Sequence, residues 1–179
     1  MSSFIQQLST YAKYHRDPRN IVTHLFGVPI IVFAVIVLLS KPTLFELAGI
    51  AITPAILAFL VTSLFYLRLH AGFGAIMIVL MGAGLYGGAL VAQMSTTVWL
   101  ASGLVMFIGG WAIQFLGHHY EGKKPAFVDD LVGLLIGPLF VTAEILFALG
   151  CFTTLKKQIE IHAGPVRKVN GNTNISKAA

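Results

Sequence analysis

The sequence has few charged residues, and this scarcity indicates the class of protein. Of 179 residues, 11% are charged and 56% are hydrophobic, whereas a soluble domain carries roughly 25% charged residues. Residues 69–120 contain no Asp, Glu, Lys or Arg. A soluble fold of this size cannot bury so much apolar surface in one core. The composition therefore excludes a disordered chain and nearly all soluble enzymes, and it predicts an integral membrane protein.

Cysteine is almost absent, and the basic residues form no continuous patch. Cys151 is the one cysteine, so an intrachain disulfide is impossible. The net charge is +5, but the Lys and Arg residues occupy the two ends and short loops, as they do in membrane proteins. We therefore expect a lipid bilayer as partner and no nucleic acid. No cleavable signal peptide is visible, so the first span should itself direct insertion.

Five apolar runs follow a polar N-terminal segment and predict an all-α, polytopic transmembrane helical bundle. The runs are Leu25–Ser40, Leu44–Leu67, Gly72–Ala92, Val98–Leu116 and Leu131–Phe152. Because a span needs roughly 20 residues, the first run is short unless its helix extends backward. Pro54 is expected to kink the second run. Glycines in the third run allow close helix packing.

The last apolar run differs from a plain span. It contains Gly137-Pro138 and the ionisable Glu144, a pattern that favours a broken, re-entrant or in-plane segment. We therefore predict four spans plus a broken fifth segment, with five full spans as the alternative. Residues 1–152 would form a single membrane-embedded domain, and residues 153–179 a polar, basic C-terminal tail.

The predicted topology gathers most histidines at one membrane face. The N-terminal segment, the 68–72 turn and the 117–130 loop are separated by even numbers of spans, so they lie on the same side. If the last run does not cross, this side carries eleven of the twelve Lys and Arg residues, and the positive-inside rule makes it cytoplasmic. With five full spans the count is six against six. The five histidines on this face are His15, His24, His70, His118 and His119.

Two histidine motifs supply candidate metal ligands. They read Tyr11-x3-His15-x4-Asn20-x3-His24 and Gln114-x3-His118-His119-x-Glu121. In each motif a polar residue precedes a histidine by four positions, so the two side chains share a helix face. Imidazole with carboxylate is the ligand set of non-haem iron or zinc sites. A structural role at the membrane interface is the alternative for any one histidine, but five on one face favour metal binding.

At these residues the chain resembles the fungal-type 2-hydroxy fatty acid dioxygenases, small polytopic membrane proteins with bacterial members. The resemblance covers nearly the whole chain up to Phe152. It implies an Fe(II)-dependent enzyme that uses O2 to shorten a long-chain 2-hydroxy fatty acid by one carbon, in the α-oxidation that breaks down phytosphingosine. The matching text is Y-x3-H-x4-N-x3-H-x2-G-x-P from Tyr11 to Pro29, GW-x2-QF-x-GH from Gly110 to His118, EGKKPAF-x-DDL from Glu121 to Leu131 and GP-x5-E from Gly137 to Glu144.

The resemblance also implies roles for individual residues. The implied Fe(II) ligands are His15, His24 and His118, with His119 and Glu121 as possible additions. The residues expected to orient the ligands or act in catalysis are Tyr11, Asn20, Asp130 and Glu144. By charge and position, Lys123 and Lys124 are expected to hold the substrate carboxylate, with contact to lipid headgroups as the alternative. We expect Glu144 to reach a ligand histidine, or an adjacent polar group such as Asn20, through a helix break at Gly137-Pro138.

Two other functions remain compatible with these residues. A zinc-dependent membrane lipid hydrolase would use the same ligand types, and O2 consumption separates it from a dioxygenase. A non-catalytic scaffold or transporter would use the histidines structurally, and metal content separates that case. As a dioxygenase, the protein would lie in the inner membrane of a bacterium or the endoplasmic reticulum of a eukaryote. Its substrate would enter from the bilayer, with its tail among the spans.

Overall fold

The computed structural model describes residues 2–128 and 130–167, and most of this part of the chain is α-helical. The predicted helical architecture is therefore confirmed. Residues 168–179 of the predicted tail lie outside the described residues. The elements, in chain order, are α1 (Ser3–Ala12), α2 (Pro18–Ser40), β1 (Phe45–Leu47), β2 (Ile50–Ile52), α3 (Pro54–Leu69), α4 (Ala71–Ala92), α5 (Thr96–Glu121), a 3-10 turn (Ala126–Val128), α6 (Gly133–Ala148) and α7 (Thr153–Ala163).

Three of these helices, α2, α4 and α5, are long and apolar enough to cross a membrane. The first apolar run does extend backward, since α2 begins at Pro18. A proline is tolerated there because the first N–H groups of a helix have no partner within the helix. Asp17 caps this helix by accepting a hydrogen bond from the Arg19 N–H at 2.9 Å. The helices α3 and α6 have 16 residues each, or roughly 24 Å, against a hydrocarbon core of about 30 Å. The four-span count therefore stays a prediction.

The second apolar run does not form one kinked helix, so that prediction was wrong. Its first third forms the antiparallel hairpin of β1 and β2, with Phe45 opposite Ile52. Ala48 and Gly49 turn the chain with positive φ. Pro54 then begins α3 rather than bending it, and Thr53 caps the new helix. A proline is favourable in the first turn of a helix but costly inside one, which explains why α3 begins at Pro54.

The closest helix packing joins α2 to α5, which run antiparallel. Three glycines seven residues apart on α5, Gly103, Gly110 and Gly117, lie against side chains of α2. A Cβ atom added at Gly110 would lie 2.6 Å from the Ile31 side chain and 3.2 Å from the Gly27 carbonyl oxygen. Small residues at such a spacing let two backbones approach along one face. This contact fixes how α2 and α5 face each other at the histidine end.

The helix α6 passes through Pro138 without ending, so the expected break at Gly137-Pro138 is absent. Pro138 has no N–H to donate to the Leu134 carbonyl oxygen, and the neighbouring Leu135 carbonyl oxygen accepts a hydrogen bond from the Tyr66 hydroxyl at 2.8 Å. The chain changes direction at the two ends of α6 instead. The helix packs against α1, α2 and α4, and Leu139 and Phe140 are buried in the core there.

The first part of the predicted tail is folded against the bundle. The helix α7 packs on α1, with Ile159 buried in the same core as α6. Beyond α7 the Arg167 N–H donates to the Arg16 carbonyl oxygen at 2.8 Å. The described chain therefore ends beside the loop between α1 and α2.

We expect Gly110→Ala to destabilise the protein, because the new methyl group would push α5 away from α2. Overpacking of this kind costs about 1–3 kcal/mol, and each kcal/mol lowers the midpoint of thermal unfolding by about 2–4 °C in a chain of this size. The neighbouring Gly109→Ala is the matched control, because a Cβ there meets nothing within 4 Å. Thermal unfolding in detergent measures both. Equal midpoints for the two variants would contradict the close contact.

Candidate metal centre

Three histidines that are distant in sequence meet at one end of the helix bundle. His24 lies on α2, His118 faces it from α5, and His15 lies in the loop between α1 and α2. Their ring centroids are 4.3–5.1 Å apart. Their side chains are buried, with exposed fractions of 0%, 2% and 8% for His15, His24 and His118. One ligand nitrogen from each lies within 4.8 Å of the others.

Backbone carbonyl groups orient two of the three rings. The Nδ1–H of His15 donates to the Tyr11 carbonyl oxygen at 2.8 Å, and that of His24 donates to the Asn20 carbonyl oxygen at 2.9 Å. The Tyr11 ring also stacks on His15, with centroids 4.3 Å apart and planes within 9°. A carbonyl oxygen only accepts, so in both rings the proton is on Nδ1 and the lone pair is on Nε2. Hydrogen bonds of this kind fix the ring orientation of metal-bound histidines.

These two lone pairs face each other, which makes the site suitable for a cation. The Nε2 atoms of His15 and His24 are 3.0 Å apart, yet two neutral rings protonated at Nδ1 have no proton to share there. Burial and the neighbouring His24 ring lower the pKa of His15, which opposes a second proton. Two nitrogens bound at right angles to one ion at about 2.1 Å each lie about 3 Å apart. The donor set therefore fits a metal ion.

Glu121 holds the loop that carries His15 rather than joining the metal site. Its Oε2 accepts hydrogen bonds from the Arg16 N–H at 3.0 Å, the Asp17 N–H at 2.7 Å and the Asn20 amide at 3.2 Å. Its Oε1 is paired with the Arg167 guanidinium. Both carboxylate oxygens are thus occupied, which argues against the expected role of a fourth ligand. A charged acceptor of this kind stabilises buried N–H groups strongly.

Arg16 connects the same loop to α6 and to the end of the described chain. Its Nε donates to the His15 carbonyl oxygen at 2.9 Å, and its Nη1 donates to the Gly164 carbonyl oxygen at 3.0 Å. Its Nη2 lies 3.9 Å from Oε1 of Glu144. Glu144 therefore contacts the site through Arg16. Of the two contacts that we expected, with a ligand histidine or with an adjacent polar group such as Asn20, the structure shows one of the second kind, an ion pair with Arg16.

Other predicted residues lie away from the three histidines. His119 follows His118 on α5, and a helix turns about 100° per residue, so its ring is exposed and contacts Tyr120. The carboxylate of Asp130 accepts a hydrogen bond from the Val132 N–H at 2.9 Å, just before α6. His70 caps α4 by accepting from the Phe73 N–H at 3.2 Å. Of the five histidines expected at this face, the three predicted ligands form the buried cluster.

The two lysines expected to hold a substrate carboxylate are on the surface. Lys123 donates to the Lys13 carbonyl oxygen at 2.8 Å, and Lys124 is also exposed. Neither lines the cavity beside the histidines. They lie in an exposed loop after α5, so they are close to His118 in sequence but do not reach the site.

A small cavity of about 70 Å³ adjoins the histidines, and Gln114 faces it. The walls include Tyr11, Gln114 and the rings of His24 and His118. Gln114 is 4% exposed, and neither atom of its amide has a hydrogen-bond partner among residues 2–128 and 130–167. A buried polar group without a partner is costly, so such a group suggests a ligand. Sequence analysis placed Gln114 on the His118 face but assigned it no role.

The fold and the site define a class: a helical bundle with membrane-length apolar helices and a buried candidate metal centre of three histidines. Residues 1–149 match the family described as 2-hydroxy-palmitic acid dioxygenase Mpo1-like. The 2-hydroxy-palmitic acid dioxygenase MPO1 of Saccharomyces cerevisiae is 33% identical over 86% of this chain and 86% of its own. The chain therefore belongs to the Mpo1-like family. No solved structure matches it.

We expect His15→Ala, His24→Ala and His118→Ala each to lose most of the bound metal, because each removes one nitrogen of the cluster. Changes around a metal site typically cost about 10–100-fold in affinity, and loss of a ligand should cost more. Elemental analysis of the purified proteins gives the metal content per chain, with about one ion expected in the parent. His119→Ala is the matched control and should keep its metal. Full metal content in all three variants would contradict the site.

Proposed function

We propose that the protein is an Fe(II)-dependent dioxygenase that converts a long-chain 2-hydroxy fatty acid into the fatty acid one carbon shorter, in fatty-acid α-oxidation and sphingolipid breakdown. The observation that carries this proposal is the buried histidine cluster, whose two Nε2 lone pairs face each other beside a cavity. Membership of the Mpo1-like family supports the substrate class, and so does the name of the yeast relative. Three protein ligands with open positions are typical of non-haem Fe(II) oxygenases.

The proposed reaction balances with O2 alone. A 2-hydroxy acid and one O2 give the shortened acid, CO2 and water, so no further reductant is required. The bond between the carboxyl carbon and the 2-carbon breaks, and the 2-carbon becomes the new carboxyl carbon. Fe(II), held by His15, His24 and His118, would supply the electrons that activate O2. Its positive charge would also stabilise the carboxylate and hydroxyl oxygens of the substrate.

The residues of the chain prepare this chemistry in three ways. The carbonyl groups of Tyr11 and Asn20 fix the tautomers of the two rings, so that their lone pairs point into the site. Burial of the histidines excludes water from the reacting atoms. The unpartnered Gln114 amide is placed to bind the polar end of the substrate, a role that the sequence suggested for Lys123 and Lys124.

We expect the purified protein loaded with Fe(II) to consume about one O2 for each 2-hydroxyhexadecanoic acid that it converts to pentadecanoic acid. Oxygen uptake and chromatography of the acids measure the two quantities. His118→Ala should be inactive, and His119→Ala should retain the parent rate. Hydrolysis of a lipid ester by the zinc-loaded protein without O2 uptake would support the hydrolase alternative. A protein with no bound metal and no turnover would support the scaffold or transporter.

We also propose that the histidine end faces the cytoplasm, with the tail on the same side. The contact of Arg167 with Arg16 supports a shared side. At the opposite end of the bundle, Lys41 donates to the Ala92 and Met94 carbonyl oxygens. Lys41 is the one basic residue on that side in the four-span topology, so the positive-inside rule favours this orientation.

Single cysteines introduced at Ser3, Ile161 and Thr43 in a Cys151→Ser background test this orientation. All three positions are exposed. We expect the cysteines at 3 and 161 to react with a membrane-impermeant maleimide only after permeabilisation of the cell, and that at 43 to react in intact cells or sealed organelles of the same polarity. Labelling of 3 and 161 from opposite sides would support five full spans and contradict the proposal.

A further inference from the structure

A second cavity lies next to the histidine site and is almost entirely apolar. It has a volume of about 370 Å³ and is lined by residues of α2, α3, α4, α5 and α6. Along α2 its wall runs from Ile31 to Leu39, and along α3 from Tyr66 back to Ala55. The walls contain no charged residue. A cavity with this lining favours a hydrocarbon over any polar ligand.

This apolar cavity adjoins the small cavity at the histidines. Five residues, Ile31, Val32, Trp111, Leu134 and Pro138, line both. The shared wall defines a near end, beside His24 and His118. Because α3 runs antiparallel to α2, Leu39 and Ala55 lie together at the far end. The two cavities therefore lie end to end and define one path for a ligand, polar at the near end and apolar beyond it.

The length of this path matches a long acyl chain. His24 and Leu39 are fifteen residues apart on α2, which corresponds to about 22 Å along the helix axis. An extended sixteen-carbon chain has fifteen C–C bonds and spans roughly 19 Å at about 1.3 Å per bond. A C16 acid with its carboxylate at the histidines would therefore place its terminal methyl group near Leu39 and Ala55.

We propose that this apolar cavity holds the alkyl tail of the substrate and sets the chain length that the enzyme accepts, with Ala58 on α3 as a specificity-determining residue. This inference rests on the proposed function for the identity of the head group. Ala58 lines the cavity eight residues from Tyr66, or about 12 Å further from the near end. Its small side chain leaves room for the last carbons of a long chain.

Replacement of Ala58 by phenylalanine tests this directly. The ring would fill the far part of the cavity, so kcat/KM for the sixteen-carbon 2-hydroxy acid should fall roughly tenfold or more, since each methylene kept out of an apolar site costs about fourfold. The ten-carbon acid ends before Ala58, and its kcat/KM should stay within about twofold. The matched control is Ala101→Phe on α5, because Ala101 is exposed, as Ala58 is, but lines none of the cavities described above; it should leave both values unchanged.

A binding measurement separates this proposal from the proposed reaction. Two hexadecanoic acid photoprobes, one with a diazirine at the terminal carbon and one with it near the carboxylate, are cross-linked to the parent protein in detergent. The terminal probe should label residues 55–59 or 81–85, and the other should label residues near Trp111 or Pro138. Labelling of the same peptides by both probes, or an unchanged chain-length preference in an active Ala58→Phe variant, would overturn the proposal. If the parent oxidises no 2-hydroxy acid, the proposed function fails. The cross-links then show by themselves whether the cavity binds an alkyl tail in this orientation.

Discussion

The close contact between α2 and α5 is the constraint on which the histidine site depends. Glycines at every seventh position of α5 let the two backbones approach, and His24 and His118 project from this contact at one end. A larger residue at Gly110 or Gly117 would push α2 and α5 apart. The two rings would then separate although neither histidine had been replaced. Because the third histidine comes from a loop, the helix pair also has to hold that loop, which it does through Glu121 at the end of α5.

Much of this arrangement could be predicted because membrane helices leave few places for polar residues. The scarcity of charge predicts a helical membrane protein, and counting apolar runs brings His15, His24 and His118 to one end even though 103 positions separate the first from the last. The structure brings those three together. The same counting includes His70 and His119 in the group, because topology gives the end of the bundle on which a residue lies but not its direction around the helix.

Other features depend on packing that no local pattern encodes. Glu121 looked like a ligand by residue type, but buried N–H groups of the loop before α2 occupy its Oε2, and the Arg167 guanidinium occupies its Oε1. Glu144 was expected to contact a ligand histidine or an adjacent polar group such as Asn20, but the sequence did not indicate that the group it contacts is Arg16. The hairpin before α3 was missed because Pro54 ends one apolar segment and begins another, which hydropathy alone does not distinguish from a kink. The role that we propose for Gln114 depends on the cavity that it lines, which no local pattern shows.

X-ray absorption at the metal edge of the purified parent protein tests the central claim most directly, because it counts the ligands without assuming an activity. We expect one iron site per chain whose scattering requires three imidazole rings, and no sulfur from Cys151. Addition of a 2-hydroxy fatty acid should add oxygen ligands while the three imidazoles remain. A spectrum that requires fewer than three imidazoles, or a carboxylate that disappears in Glu121→Gln, would contradict the account.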